Sequence, residues 1–202
     1  EQVNFDTLLQ LDDKGSLAPG LATDWKIAAD SKSITLTLRK GVKFHDGTDF
    51  NSAAAKFNLD IRKAAKLGDY EEVTSFDVVD DYTLRVNLSS FTNATLVNFR
   101  AIGGMIESPT AYQSLGKDAA RYAPVGTGPF KFVKFDINQL IKYERFDSYW
   151  KTGKPYLDGF EMVIIADPTT RELAFRRGEM NAAEALRPQV IAQLEKEGYP
   201  VI

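Results

Sequence analysis

The 202-residue chain contains no cysteine, and that absence removes disulfides, thiolate nucleophiles and zinc–thiolate centres together. A cysteine-free sequence suits an exported protein that folds without oxidative help. Histidine is nearly as scarce, with His45 the only one. A catalytic triad or an imidazole metal site would have to use it, yet no partner stands at ligand spacing, so His45 reads as part of a turn. Positive charge is not in excess either. With 25 Lys and Arg against 28 Asp and Glu, the net charge of −3 speaks against a nucleic-acid surface and gives no support to binding at anionic lipid. No apolar run approaches the roughly 20 residues that a membrane helix needs.

An apolar share of 44% and a charged share of 26% are those of a globular protein, long enough for one or two domains with a core. Asn4 to Leu11 carries Phe5, Leu8, Leu9 and Leu11 in a short helix or strand. Asp12-Asp13-Lys14-Gly15 turns the chain, and residues 17–25 read as irregular, anchored by Trp25. Ile34 to Arg39 alternates strictly, which predicts a strand with Ile34, Leu36 and Leu38 facing a core. After a turn from Lys43 to Thr48, Asn51 or Ser52 is placed to cap a helix. In that helix Phe57, Ile61 and Ala64 recur at helical spacing, predicting a core stripe. Phe76 to Leu88 predicts a hairpin with Asp80-Asp81 at its tip and Leu84, Val86 and Leu88 inward.

Short helices are predicted at residues 93–98 and from Ser108-Pro109 through Tyr112 and Leu115. Gly126-Thr127-Gly128-Pro129-Phe130 predicts a rigid bend with permissive backbone torsions. It leads into a strand from Lys131 to Phe135, a returning strand from Leu140 to Glu144, and another ending at Ile165. Asp167 caps a helix that has Pro168 at its first position and Gly178 at its end. A second helix runs from Pro188 to Lys196, and Tyr199 to Ile202 reads as a strand beginning.

Chemistry-bearing residues do not gather in this pattern. The acidic pairs Asp12-Asp13 and Asp80-Asp81 sit in turns, whereas a hydrolase needs acids converging on a cleft. No nucleophile or phosphate loop accompanies them, so the series looks built to position a ligand. Arg100-Ala101-Ile102-Gly103-Gly104-Met105-Ile106 differs in kind. Its adjacent glycines allow close approach of the backbone to a ligand or to a neighbouring segment, and both readings stay open.

An ordered series of motifs covers nearly the whole chain. It starts with Leu17-Ala18-Pro19-Gly20-Leu21-Ala22 and Trp25, then Leu38-Arg39-Lys40-Gly41-Val42-Lys43-Phe44-His45-Asp46-Gly47. Pro124-Val125-Gly126-Thr127-Gly128-Pro129-Phe130, Tyr149-Trp150 and Lys154-Pro155-Tyr156-Leu157 follow. Asp167-Pro168-Thr169-Thr170-Arg171, Ala174-Phe175 and Gly178-Glu179-Met180-Asn181 close it. In this order the motifs resemble the extracellular solute-binding proteins of peptide and nickel ABC importers, the family 5 type. The resemblance implies an α/β fold: a mixed β-sheet lobe of a type II-like bilobal periplasmic binding protein, with a smaller β-rich subdomain. It implies capture of a small solute, a peptide foremost, in a cleft between two lobes for delivery to a membrane ABC permease. It implies a bacterial protein, periplasmic or extracellular and membrane-anchored, with no enzymatic activity, no cofactor, no metal of its own and no nucleic-acid partner.

The chain is less than half the length that the resemblance leads one to expect, matching most of lobe one. Residues 1–40 and 158–202 are then expected in the main sheet domain and residues 41–157 in the β-rich subdomain, with the second lobe and a late return segment absent. Half a cleft is expected to bind solute weakly, and open sheet edges are expected to pair chain to chain. The resemblance places Arg100, Ile102, Gly103, Gly104 and Met105 at the cleft wall. Nickel-type relatives carry arginines where Ile102 and Met105 stand, and a guanidinium fork is what a chelate carboxylate needs. A peptide or other small organic solute is therefore the expected ligand, with a nickel or metal chelate, or a role as the ligand-sensing domain of a regulator, as alternatives.

Overall fold

The computed structural model describes residues 3–201, which form two compact units: residues up to 133 with 143–160, and residues 134–142 with those from 161 onward. The first unit opens on a hairpin of β1 (Leu9–Leu11) and β2 (Leu17–Pro19). β3 (Ala22–Ile27), β4 (Ser33–Leu38), β5 (Val73–Asp80) and β6 (Thr83–Leu88) then build an antiparallel sheet in the order β3-β4-β6-β5. Two of its strands precede residue 40 and two follow it. Strict alternation has its predicted result, since Ile34, Leu36 and Leu38 are buried and Leu36 stands opposite Leu84. Residues 17–25, expected to be irregular, instead hold β2 and the start of β3. Pro19 and Gly20 obscure the pattern, and the β3–β4 register shifts between Ala22 and Asp24, so the period of two breaks there. Unpaired edges exist too: β5 borders the sheet and exposes Val78 and Val79.

Helix α1 (Ser52–Ala64) starts where Asn51 caps it, the side chain accepting from the Ala54 amide at 2.9 Å. It buries Ser52, Ala54, Ala55, Asn58 and Leu59 against β5 and β6. The predicted core stripe is not the buried face: Phe57 and Ile61 are half-buried, Ala64 is exposed, and all three line a cavity. Small alanines let the helix lie close to the sheet, so the face with the smallest side chains is the one that docks. Phe44, Phe50, Phe76 and Phe99 fill the space below.

Residues 4–9 thread between several segments. The Leu21 and Ala22 amides donate to the Thr7 and Leu8 carbonyls on one side, at 3.0 and 2.8 Å. On the other, Leu8 and Leu9 amides donate to the carbonyls of Gly104 and Phe99 at 2.9 and 3.0 Å, and the Gly128 amide reaches the Asn4 carbonyl at 2.9 Å. The bend at Gly126-Thr127-Gly128 is present, but neither glycine has a left-handed φ. Proximity demands Gly126: a Cβ there would stand 2.0 Å from the Asn4 carbonyl oxygen.

α2 (Asn93–Asn98) leads to a 3-10 turn at Ile102–Gly104, then α3 (Pro109–Leu115) and the four-residue α4 (Lys117–Ala120). β7 (Phe130–Asp136), β8 (Leu140–Arg145) and β9 (Gly159–Val163) form a three-stranded sheet in that order. In the second unit, α5 (Pro168–Arg176) is capped by Asp167, whose carboxylate accepts from the Thr170 amide at 2.7 Å. Arg171 staples this unit internally, donating to the carbonyls of Ile165 and Ala185 at 2.7 and 2.8 Å. α6 (Pro188–Lys196) follows. The strand expected to begin at Tyr199 does not form through Val201, and Ile202 lies outside the described residues.

Candidate functional site

Asp6 is the hub of the first unit's polar network. Its carboxylate accepts from Thr127 Oγ1 at 3.1 Å, Tyr149 OH at 3.1 Å and Trp150 Nε1 at 2.8 Å. Two of the motifs singled out in the sequence, around Thr127 and at Tyr149-Trp150, are thus tied to one N-terminal aspartate. Burial pushes the Asp6 pKa up, only partly offset by these donors and by the nearby Lys151 charge. Asp6 also lines a pocket of about 270 Å³ with Phe5, Gln10, Arg100 and Lys151.

His45 belongs to the same framework. Its Nε2 donates to the Gly128 carbonyl at 2.9 Å, while Nδ1 accepts from the Gly126 amide at 3.3 Å, which assigns a neutral ring. The ring packs edge-on to Phe146, with centroids 4.9 Å apart. Burial holds its pKa below the usual 6.5, with the Lys131 charge adding to the effect and the Gly128 carbonyl and Asp46 opposing it. The folded state therefore resists a proton that the unfolded chain accepts, so the His45 contribution is complete above pH 6.5 and drains away as pH falls below it. The urea midpoint is expected to drop between roughly pH 7 and 5, and to drop less in His45→Gln. Equal pH dependence in both proteins would refute this role. Beside it, burial pushes Asp46 upward, but donors on Ser108 and Thr48 prevail and hold its carboxyl below the usual range.

A larger cavity, about 750 Å³, lies wholly within the first unit. Phe57 and Ile61 of α1 form one wall, and Leu67, Ile102, Met105 and Tyr112 complete the apolar surface. Two half-buried charges stand on it, with the exposed Lys117, Asp118 and Arg121 also in its lining. Arg62 donates through Nε to the Met105 carbonyl at 2.8 Å, and Glu107 has its backbone clamped by buried Asn58. That clamp is double: the Glu107 amide donates to Asn58 Oδ1 at 2.9 Å, and Asn58 Nδ2 donates to the Glu107 carbonyl at 2.7 Å. Burial pulls the Arg62 pKa down and pushes the Glu107 pKa up. Behind the wall, the Tyr70 hydroxyl donates to the Gly103 carbonyl, and burial pushes its pKa up to about 12, so it stays a neutral donor.

The five residues placed at a cleft wall by resemblance separate here. Ile102 and Met105 face the larger cavity, Arg100 lines the smaller pocket, and Gly103 and Gly104 are buried. A Cβ on Gly103 would meet Asn98 Oδ1 at 2.1 Å, and one on Gly104 would meet the Phe99 carbonyl oxygen at 1.8 Å. Asp6, Arg62 and Glu107 were not anticipated.

Residues 16–202 match the model of bacterial extracellular solute-binding proteins, family 5 (middle). The chain belongs to this family. The glutathione-binding protein GsiB of Pectobacterium atrosepticum is 32% identical over 197 residues, which cover 95% of this chain and 38% of that protein. NikA from Brucella suis, solved in complex with Fe(III)-EDTA, superposes with a TM-score of 0.83 at 29% identity, over 97% of this chain and 41% of NikA. The periplasmic binding protein DppA from Helicobacter pylori, solved with the peptide STSA, gives a TM-score of 0.83 at 30% identity, over 95% of this chain and 43% of DppA. This family 5 chain therefore has a mixed α/β fold that fits a lobe of such proteins, and it spans about 38% of the length of the curated relative.

Proposed function

We propose that this family 5 chain supplies one face of a solute trap for a bacterial ABC importer, and that the larger cavity is that face. The carrying observation is a cavity of about 750 Å³, apolar on most sides, with Ile102, Met105 and the half-buried Arg62 and Glu107 in its lining. That volume falls within the range of roughly 300–1,000 Å³ typical of small-molecule sites. Gly103 and Gly104 shape the wall from behind and Arg100 flanks it. The solute in this reading is a short peptide or related organic molecule, released to a membrane permease from the periplasm. The apolar side chains at 102 and 105 support that class over a metal chelate. Among the described residues no group of three or more His, Asp or Glu is placed to hold a metal ion.

A trap closes on both sides of its solute, and one face alone leaves much of the ligand wet. Titration of the 202-residue chain with Met-Leu, followed by amide resonances, is expected to move signals of residues 102–107 and α1 with a Kd weaker than about 0.1 mM. Sub-micromolar binding would overturn the two-sided reading. Fe(III)-EDTA broadening the same resonances while peptides leave them unmoved would replace the peptide by a chelate.

A further inference from the structure

We propose that β9 is a docking edge for a second copy of this chain, the two strands pairing antiparallel across a two-fold axis at Met162. The inference is independent of the solute face.

β9 ends its sheet, so one of its edges has no strand beside it among the described residues. Pairing on the other edge tells which backbone groups lie on the open one. The Arg145 amide donates to the Asp158 carbonyl and the Ile164 amide to the Gln139 carbonyl, both at 2.8 Å. Residues 158 and 164 thus face β8, and alternation turns 160 and 162 the same way. Glu161 and Val163 therefore aim their N–H and C=O groups outward. Beyond them the edge closes, because the Ile165 carbonyl accepts from Arg171 Nη2 and Nε at 2.7 and 3.0 Å.

The side chains agree with this. Met162, Val163 and Ile164 are 41%, 54% and 39% exposed, and successive strand residues point to opposite faces, so both faces lie open. Of the described apolar residues in the second unit, Ala174 and Leu194 alone are buried. A strand so apolar and so thinly covered gains from a partner that removes it from water.

The outer strands elsewhere in the two larger sheets are guarded. β5 has a register shift near each end, and self-pairing about Val78 and Val79 would set Asp77 against Asp80. β3 carries Asp24, Lys26 and a register shift, and β7 carries Lys131 and Lys134. β9 has one charge, Glu161, which Lys142 pairs at 2.8 Å.

Self-complementarity names the occupant. Placing Glu161 of one protomer opposite Val163 of its partner satisfies the outward groups of both residues and brings no like charges together. Met162 then meets its own copy at a non-hydrogen-bonded position, with Cα atoms about 4.5 Å apart. Centring the pair on Val163 instead would need the Ile165 carbonyl, which Arg171 already holds.

Sedimentation equilibrium of the 202-residue chain at about 10–200 μM is expected to show a reversible monomer–dimer transition. Val163→Lys should raise the dissociation constant about tenfold or more. Val163→Pro should do the same, since it removes an outward donor but no bond to β8. Val78→Lys, on the β5 edge, should leave the constant unchanged. As the chain has no cysteine, Met162→Cys supplies a single thiol, expected to cross-link the dimer under mild oxidation. Val163→Cys should not, because its two copies stand about 7–8 Å apart in this register. A chain that stays monomeric throughout would overturn the proposal and leave the edge to another occupant. A dimer that Val163→Lys leaves intact, one broken by Val78→Lys, or cross-linking through position 163 and not 162 would overturn it as well.

Discussion

Asp6→Ala is expected to destabilise the chain by about 3 kcal/mol or more, visible as a lower urea midpoint with an unchanged m-value. Three donors converge on this carboxylate, and each loses its acceptor at once. Hydrogen bonds to a charged group contribute about 1.5–3 kcal/mol each, while a buried donor left unsatisfied costs about 1–3 kcal/mol. Against this stands the cost of burying Asp6 itself, seen in its raised pKa, which is why the expected loss is well below the sum of three bonds. Asp6→Asn keeps one acceptor but turns an amide toward the Trp150 and Tyr149 donors, so a smaller loss of about 2 kcal/mol is expected. A change below about 1 kcal/mol in Asp6→Ala would show that water replaces the carboxylate and that Asp6 is no hub.

Gly104→Ala is expected to cost as much or more, by a different route. The new Cβ would sit 1.8 Å from the Phe99 carbonyl oxygen, and that carbonyl already accepts from the Leu9 amide at 3.0 Å. Backbone cannot swing aside as a side-chain tip does, so the turn or the Leu9 pairing must give way. A loss of about 3 kcal/mol lowers the melting temperature of a chain this size by roughly 6–12 °C. Gly103→Ala meets the side chain of Asn98 instead, and a milder loss of about 1–2 kcal/mol is expected. An unaltered melting temperature in Gly104→Ala, with only solute binding changed, would return these glycines to direct ligand contact.

Local features were legible wherever their cause was local. Strict alternation marked β4, and Asp167 declared the start of α5 by the geometry of a cap. The ordered motifs revealed the family. What they do within it was hidden, because Thr127, Tyr149 and Trp150 act through an aspartate more than 120 positions away. The helical spacing of Phe57 and Ile61 was real, but spacing alone cannot say whether an apolar face meets a sheet or a cavity. Arg62 and Glu107 escaped for the same reason. Arg62 is anchored on Met105 and the Glu107 backbone on Asn58, partners 43 and 49 positions away that no local pattern encodes.

The threading of residues 4–9 through the first unit bears on how the protein reaches its native state. Its partners are synthesised much later, with Tyr149 and Trp150 separated from Asp6 by 143 and 144 positions. Contacts of such long range slow folding, because loop closure must be completed before they reward it. Leu8 and Leu9, fully buried at the end, pair with the carbonyls of Gly104 and Phe99, so they lack these partners on the nascent chain until residue 104 exists. Docking of this segment is therefore a closing step of folding, and the interval before it is when the chain is most open to aggregation and most in need of a chaperone.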